Sequence, residues 1–280
     1  MNRPETFNEY RPLLMSIAYR MLGTRADAED AVQETFLRYQ ATQEEPSSPK
    51  ALLATIITRL CIDELRSSRV QRERYVGPWL PEPVVTEGTK VEMAESLTMA
   101  FLVLLESLTP VERATFLLHE VFDYDYTEIA GMIGKTEASC RQMVHRAKER
   151  ITTRRRRFEP SPEETERITS QFLKTAQNGD VAGLMALFAD DAVMISDGGG
   201  KVRAALNPVR GPSAIARFVM GVLKKIESLS PTYSLTEING QPAFVTSISG
   251  ENISAAILDI QDGLVQKLFI VANPDKLRTI

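Results

Sequence analysis

Ser139, Arg141, Gln142, His145 and Arg146 all carry hydrogen-bond donors, spaced so that a helix would turn them to one side. Donors of these types on one helical face suit phosphate oxygens and the base edges of a DNA major groove. The helix that would carry them is defined by its buried stripe, Cys140, Val144, Ala147 and Ile151, at steps of four, three and four. Just upstream, Asp125 and Glu128 stand at capping-box spacing, and Ile129, Ala130 and Ile133 make an apolar face. Gly134 suits a left-handed stop, and Thr136 can cap the helix that follows. Residues 125–151 therefore read as two short helices around a glycine-bearing turn, the second of them basic. A helical hairpin with a solvated basic face has the same pattern, so the rest of the chain decides between the two.

The 280 residues exceed one ordinary domain and imply two or three separate cores. The net charge of −4 hides an asymmetry. Residues 134–157 carry nine Lys or Arg against two acids, while residues 158–280 carry eleven bases against fourteen acids. A basic patch on an acidic chain points to nucleic acid at one site and leaves acidic surface for a protein partner. Cys61 and Cys140 both fall on helix faces, which argues against a disulfide or a thiolate metal site; no metal or cofactor is expected. No run approaches the roughly 18 apolar residues of a membrane span, and the N-terminus lacks a signal-peptide pattern, so the expectation is a cytoplasmic protein without a membrane partner.

Along the chain, Phe7, Tyr10, Leu14, Ile17, Ala18 and Met21 predict a first helix ending near Gly23. Thr24 with Asp27 starts a second, running to about Gln40. QEEPSSP at 43–49 breaks the pattern, and Ser48–Pro49 opens a third helix with an arginine-rich end, including Arg59, Arg66, Arg69, Arg72 and Arg74. Residues 75–93 hold three prolines and two glycines without helical period and read as a linker. Helix resumes near Ala94, breaks at Thr109 and Pro110, and leads into the opening motif; Arg154 to Arg157 close this half. Beyond Glu163 two helices are followed by alternating segments at 192–196, 202–206, 233–238, 243–249, 254–260 and 264–271, with one more helix from Pro212 to about Ile226. Helices first and strands after is an α+β order, a curved sheet folded around a helix.

These motifs carry a resemblance. AEDAVQETFLRY at 28–39 and the series from Thr127 to Ile151 resemble the bacterial extracytoplasmic-function sigma factors. Residues 163–280 resemble the SnoaL-like, nuclear-transport-factor-like cone. WLPEP at 79–83, DGGGK at 197–201 and NPDKL at 273–277 are similar to motifs of the sigma subgroup with this C-terminal extension. The resemblance implies a multidomain chain: two all-α domains, the region two bundle (1–74) and the region four helix-turn-helix (94–158), joined by the 75–93 linker, then an α+β SnoaL-like cone (159–280). It also implies a sigma factor that binds core RNA polymerase and directs promoter recognition and transcription initiation, regulated in cis by the cone. Asp27, Glu29, Asp30 and Glu34 would dock on the polymerase clamp by charge steering and apolar contact. QEEPSSP would take a flipped base during melting, and Arg66 and Arg69 would hold the adjoining phosphates. A solvated helix face and a mobile connector would look the same in sequence.

The three short motifs would form an interdomain regulatory contact: Trp79, Leu80, Pro81 and Glu82 against Asp197, Gly198, Gly199, Gly200 and Lys201 and against Asn273, Pro274, Asp275 and Lys276. The expected packing has Trp79 in an apolar recess and Lys201 or Lys276 near Glu82. SnoaL-like cones can be cyclases with an acid–base pair that includes a histidine, but the only histidines here, His119 and His145, lie outside the cone. Asp197 could serve as a base if buried, yet three neighbouring glycines are a poor way to hold a catalytic carboxylate rigid. The expectation is therefore no catalysis, with the cone reused as a docking and regulatory module in a monomer, and a small-molecule effector of the cone as the lesser alternative. Two alternatives stand beside it: a ligand-sensing helix-turn-helix regulator, and a SnoaL-like enzyme with a DNA-binding half.

Overall fold

Helix signals in the first half are met at both backbone and cap. In the computed structural model, residues 3–43, 46–86, 97–152, 161–278 and 280 are described. They fall into two units, divided between Glu73 and Arg74, between Phe101 and Leu102, and within 153–160.

The helical unit holds α1 (Arg3–Leu22), α2 (Arg25–Ala41), α3 (Pro49–Glu73), α5 (Pro110–Glu120), α6 (Tyr126–Ile133) and α7 (Glu137–Thr152); α4 (Met99–Leu105) contains the division. Thr24 caps α2 by accepting the Asp27 amide, and Ser48 accepts the Ala51 amide at the start of α3. Leu14, Ile17, Met21, Ala28, Leu53 and Ile57 are all buried and join α1, α2 and α3 in one core. That core continues into the second helical group. Buried Arg113 of α5 donates to the carbonyls of Met21 and, at 3.1 Å, Leu105, and pairs with Glu106. Arg59 of α3 donates Nε to Met132 O at 2.7 Å and Nη2 to Gly131 O at 3.1 Å, so α3 is fastened to the C-terminal end of α6.

The sheet unit contains 74–101 as well as the C-terminal part of the chain. Helices α8 (Pro162–Gln177), α9 (Val181–Ala186) and α10 (Pro212–Ile226) accompany strands β1 (Phe188–Asp197), β2 (Val209–Arg210), β3 (Thr232–Ile238), β4 (Gln241–Ile248), β5 (Glu251–Gln261) and β6 (Leu264–Val271). The strands make one sheet in the order β2-β1-β6-β5-β4-β3; β1 and β6 are parallel and the other pairs antiparallel. Ile168 and Phe172 of α8, Ile215 and Val219 of α10, and Phe244, Leu258 and Leu268 of the sheet share one apolar core. Phe172 packs edge-on to Phe188 at 5.9 Å between centroids and stacks with Phe244 at 5.3 Å. This is the α+β architecture expected from sequence.

One expected strand is absent. Residues 202–206 form bends and irregular chain because the amides of Lys201 and Val202 both donate to Gly198 O, at 3.0 and 3.2 Å, which folds the segment back on itself. Its apolar residues consequently remain outside: Val202 is 43% and Leu206 62% exposed.

Candidate regulatory site and DNA-reading face

The three short motifs meet at Asp197, and the topology is the reason. Asp197 ends β1, its parallel neighbour β6 ends at Val271, and parallel strands deliver their C-terminal ends to the same edge. The amides of Ala272 and Asn273 accordingly donate to Asp197 O at 2.8 and 2.9 Å. Asn273 then caps a single 3-10 turn, Pro274–Lys276, by accepting the Asp275 amide at 3.1 Å, and this turn sends Lys276 back toward Asp197.

The Asp197 side chain is fully buried and its two oxygens take four donors. Oδ1 accepts Tyr75 OH at 2.6 Å and the Gly199 amide at 2.9 Å. Oδ2 accepts the Leu80 amide at 2.9 Å and Lys276 Nζ at 2.7 Å. Four donors fill the lone-pair sites of a carboxylate. Lys276 also donates to Leu80 O, and its ammonium lies 4.2 Å from the Trp79 ring centroid and 5.2 Å from that of Tyr75. Asn273 Nδ2 donates to Tyr75 OH at 2.9 Å, closing the ring of contacts. Burial, followed by the hydrogen bond to Asp197, pushes the Tyr75 phenol well above its ordinary value, so Tyr75 stays a neutral donor.

The expected contact is thus refined in two places. Trp79 is half-buried; the fully buried side chain is its neighbour Leu80. A ring that faces an ammonium keeps one face polar in character and does not need an apolar recess. Lys276 is held by Asp197 and Leu80, and Lys201 pairs with Asp275 at the surface. Pro81 and Glu82 are both buried. The glycines act by closeness: a Cβ on Gly198 would stand 2.6 Å from Val202 O, one on Gly199 would strike the Asn273 side chain, and one on Gly200 would lie 3.1 Å from Val76. Gly199 and Gly200 also have φ of +60° and +71°.

Sequence reasoning missed a second anchor. Val84 N donates to Asn239 Oδ1 at 3.2 Å while Asn239 N donates to Val84 O at 2.8 Å. Thr86 N bonds Glu237 O at 3.0 Å, its hydroxyl donates to Glu237 Oε1 at 2.6 Å, and Gly240 N donates to that hydroxyl at 2.9 Å. With the Val85–Ile238 bridge, the connector adds to the β3 edge of the sheet. The only signal was the Asn239–Gly240 turn beside a strand. Residues 87–93 of the expected linker lie outside the described residues.

In the helical unit, the helix-turn-helix forms as its caps predict. Asp125 and Glu128 make a reciprocal capping box, Gly134 is left-handed at φ 67°, and Thr136 accepts the Ser139 amide at 3.2 Å. Cys140, Val144, Ala147 and Ile151 are buried, which leaves Arg141, Gln142, His145 and Arg146 exposed and Ser139 half-exposed. Arg150 Nη1 is 3.2 Å and Arg146 Nη2 4.0 Å from Glu112, and Lys148 Nζ is 2.8 Å from Glu120; both acids belong to α5. Glu112 is largely buried; this penalty is outweighed by its bonds to Thr109 and the nearby Arg150 and Arg146, which hold its carboxyl below the usual value.

Of the residues assigned to polymerase, Asp27 and Asp30 are exposed, while Glu29 and Glu34 are paired with Arg25 and Arg38 along α2. A groove lined by Phe7, Arg11, Val32, Phe36 and Leu37 runs beside them. Arg66 pairs with Asp63 at 3.2 Å; Arg69 is on α3 with its side chain outside the described part, as are Glu44, Glu45 and Arg154 to Arg157. No helix among the described residues is long and apolar enough to cross a membrane.

The chain matches the family models for Sigma-70 region 2 over residues 6–70 and Sigma-70, region 4 over residues 98–151. It is 35% identical to the ECF RNA polymerase sigma factor SigJ of Mycobacterium tuberculosis, covering 96% of this chain and 91% of that protein. It is 27% identical to the probable ECF RNA polymerase sigma factor SigI of the same species, over 96% and 92% of the two chains. The crystal structure of SigJ from M. tuberculosis superposes with a TM-score of 0.77 at 33% identity, covering 96% of this chain and 97% of that one.

Proposed function

Because the chain belongs to the extracytoplasmic-function RNA polymerase sigma factors, we propose that its sheet unit regulates initiation in cis by gripping the connector between the two promoter-reading helical groups. The family premise gives the activity: the protein binds core RNA polymerase and directs promoter recognition and transcription initiation. It acts by binding energy, and the sigma half has no reaction of its own. The observation that carries the cis reading is the Asp197 cluster, in which the buried carboxylate of the second short motif holds the Leu80 amide of the first and the Lys276 ammonium of the third, with the Tyr75 hydroxyl beside them.

The same cluster supports a docking role for the sheet unit over catalysis. A general base needs a lone pair directed at substrate, and those of Asp197 are already occupied. Phe172 of α8 packs against Phe188 and Phe244 of the sheet. The reading requires no small-molecule effector. Asp27, Asp30 and the adjacent α1–α2 groove form the surface assigned to polymerase, and Ser139, Arg141, Gln142, His145 and Arg146 the one assigned to upstream promoter DNA. We place the protein in the cytoplasm as a single chain, where polymerase and promoter meet.

Transcription in vitro with core polymerase tests both levels. The full chain should direct initiation with core polymerase alone, which a helix-turn-helix repressor or activator cannot do. An Asp197→Asn/Lys276→Met variant, which loosens the connector without leaving a lone buried charge, should give more transcript when core polymerase is limiting. Equal output from variant and parent would sink the cis reading and leave the sigma assignment standing.

A further inference from the structure

The exposed basic residues of α7 are not alike. Arg146 and Arg150 lean toward Glu112 and Lys148 toward Glu120, so their charged ends are drawn back to α5. His145 stands 3.6 Å from Glu149 on its own helix. Arg141 is held differently. Its guanidinium lies 5.3 Å from the ring centroid of Tyr126, the first residue of α6, and it pairs with Glu137 one turn earlier on α7. Glu137 in turn accepts Thr127 Oγ1 at 3.3 Å, which ties that carboxylate to α6. On its own side Tyr126 is braced by the His119 ring at 4.2 Å, and His119 Nδ1 lies 3.1 Å from Tyr124 O. A shelf built from α5, α6 and α7 therefore carries one arginine near the N-terminal end of the helix, the end that faces base edges in this motif.

Resting on the assignment of α7 to promoter DNA, we propose that Tyr126 and Glu137 are positioning residues that aim Arg141 as a guanine reader of the upstream promoter element. An exposed arginine loses rotamer freedom when it binds, and a side chain already stacked and paired loses less. Stacking uses the face of the guanidinium and leaves edge donors for the O6 and N7 acceptors of guanine. Tyr126 contributes through its ring, so its hydroxyl is dispensable.

The test is transcription by the full chain with core polymerase from a library randomised across the upstream element, read as base preference at each position. Arg141→Ala should flatten preference at one G·C position. Tyr126→Leu should weaken discrimination at that same position by about three- to tenfold, with other positions and the salt dependence of promoter binding retained. Tyr126→Phe should restore the parent profile, and Glu137→Gln should fall between parent and Tyr126→Leu. A flat effect of Tyr126→Leu on all promoters, or an effect at a position other than that of Arg141→Ala, overturns the positioning role. No change in any preference on Arg141→Ala overturns it too, and with it the placement of α7 in the groove.

Discussion

Lys276 and Asp197 are 8% and 0% exposed at their side chains, and a pair this buried is unforgiving of half-removal. Lys276→Met alone should destabilise the docked connector by about 3–5 kcal/mol, since Asp197 keeps its burial and loses its cation. The Asp197→Asn/Lys276→Met pair should recover only part of that, leaving the connector looser than in the parent but less so than in the single variant. Amide exchange at Leu80 and Gly199 measures both, and equal protection in single variant and parent would count against the pair as the anchor. Tyr75 adds a pH dependence. Its folded pKa lies above the unfolded value of about 10, so its stabilisation is complete below that value and is lost as pH rises through the folded one. Trp79 emission, sensitive to the Lys276 ammonium over its ring, should therefore change only on the alkaline side of about pH 10.

At the scale of elements, glycines separate positions set by packing from positions set by the helix alone. Gly198→Ala drives a Cβ into Val202 O and should cost about 1–3 kcal/mol. A Cβ on Gly221, inside α10, would meet nothing within 4 Å, and Gly221→Ala should stabilise by about 0.5–1 kcal/mol. Thermal melts of the two variants, shifted in opposite directions, would bear this out. The caps at Thr24, Ser48, Asp125 and Thr136 were legible because each satisfies a local amide within three residues. The gathering of three motifs around Asp197 was legible only as a family pattern, because the parallel pairing of β1 with β6 that creates it joins residues far apart in sequence. Two other features could not be read from local pattern alone. The 202–206 segment alternates like a strand yet is turned by Gly198, and the connector's attachment to Asn239 depends on a sheet edge that no single stretch reveals.

At the scale of the chain, both helical groups lie in one unit, and on the proposed reading the contact between them should oppose promoter binding. If two promoter elements are about 16 base pairs apart, their readers must separate by roughly 54 Å at 3.4 Å per pair, whereas Arg59 of α3 bonds directly to carbonyls of α6. The connector must also yield: residues 75–86, worth about 40 Å when extended, contribute no reach while the Asp197 cluster and the β3 edge hold them. Opening thus breaks two contacts that share no residue. Charge-assisted bonds to carbonyls at a helix C-terminus contribute about 1.5–3 kcal/mol, so Arg59→Ala should shift the closed–open balance about tenfold or more toward open. Energies of separate sites add, so combining Arg59→Ala with Asp197→Asn/Lys276→Met should multiply the two shifts. Energy transfer between dyes at Gln40 on α2 and Lys135 beside α7, recorded with and without core polymerase, reads that balance directly. Multiplied shifts would mean both contacts hold the same closed state. A combined variant no more open than Arg59→Ala alone would mean that the helical groups part without releasing the connector, and that the sheet unit travels with the sigma half onto polymerase.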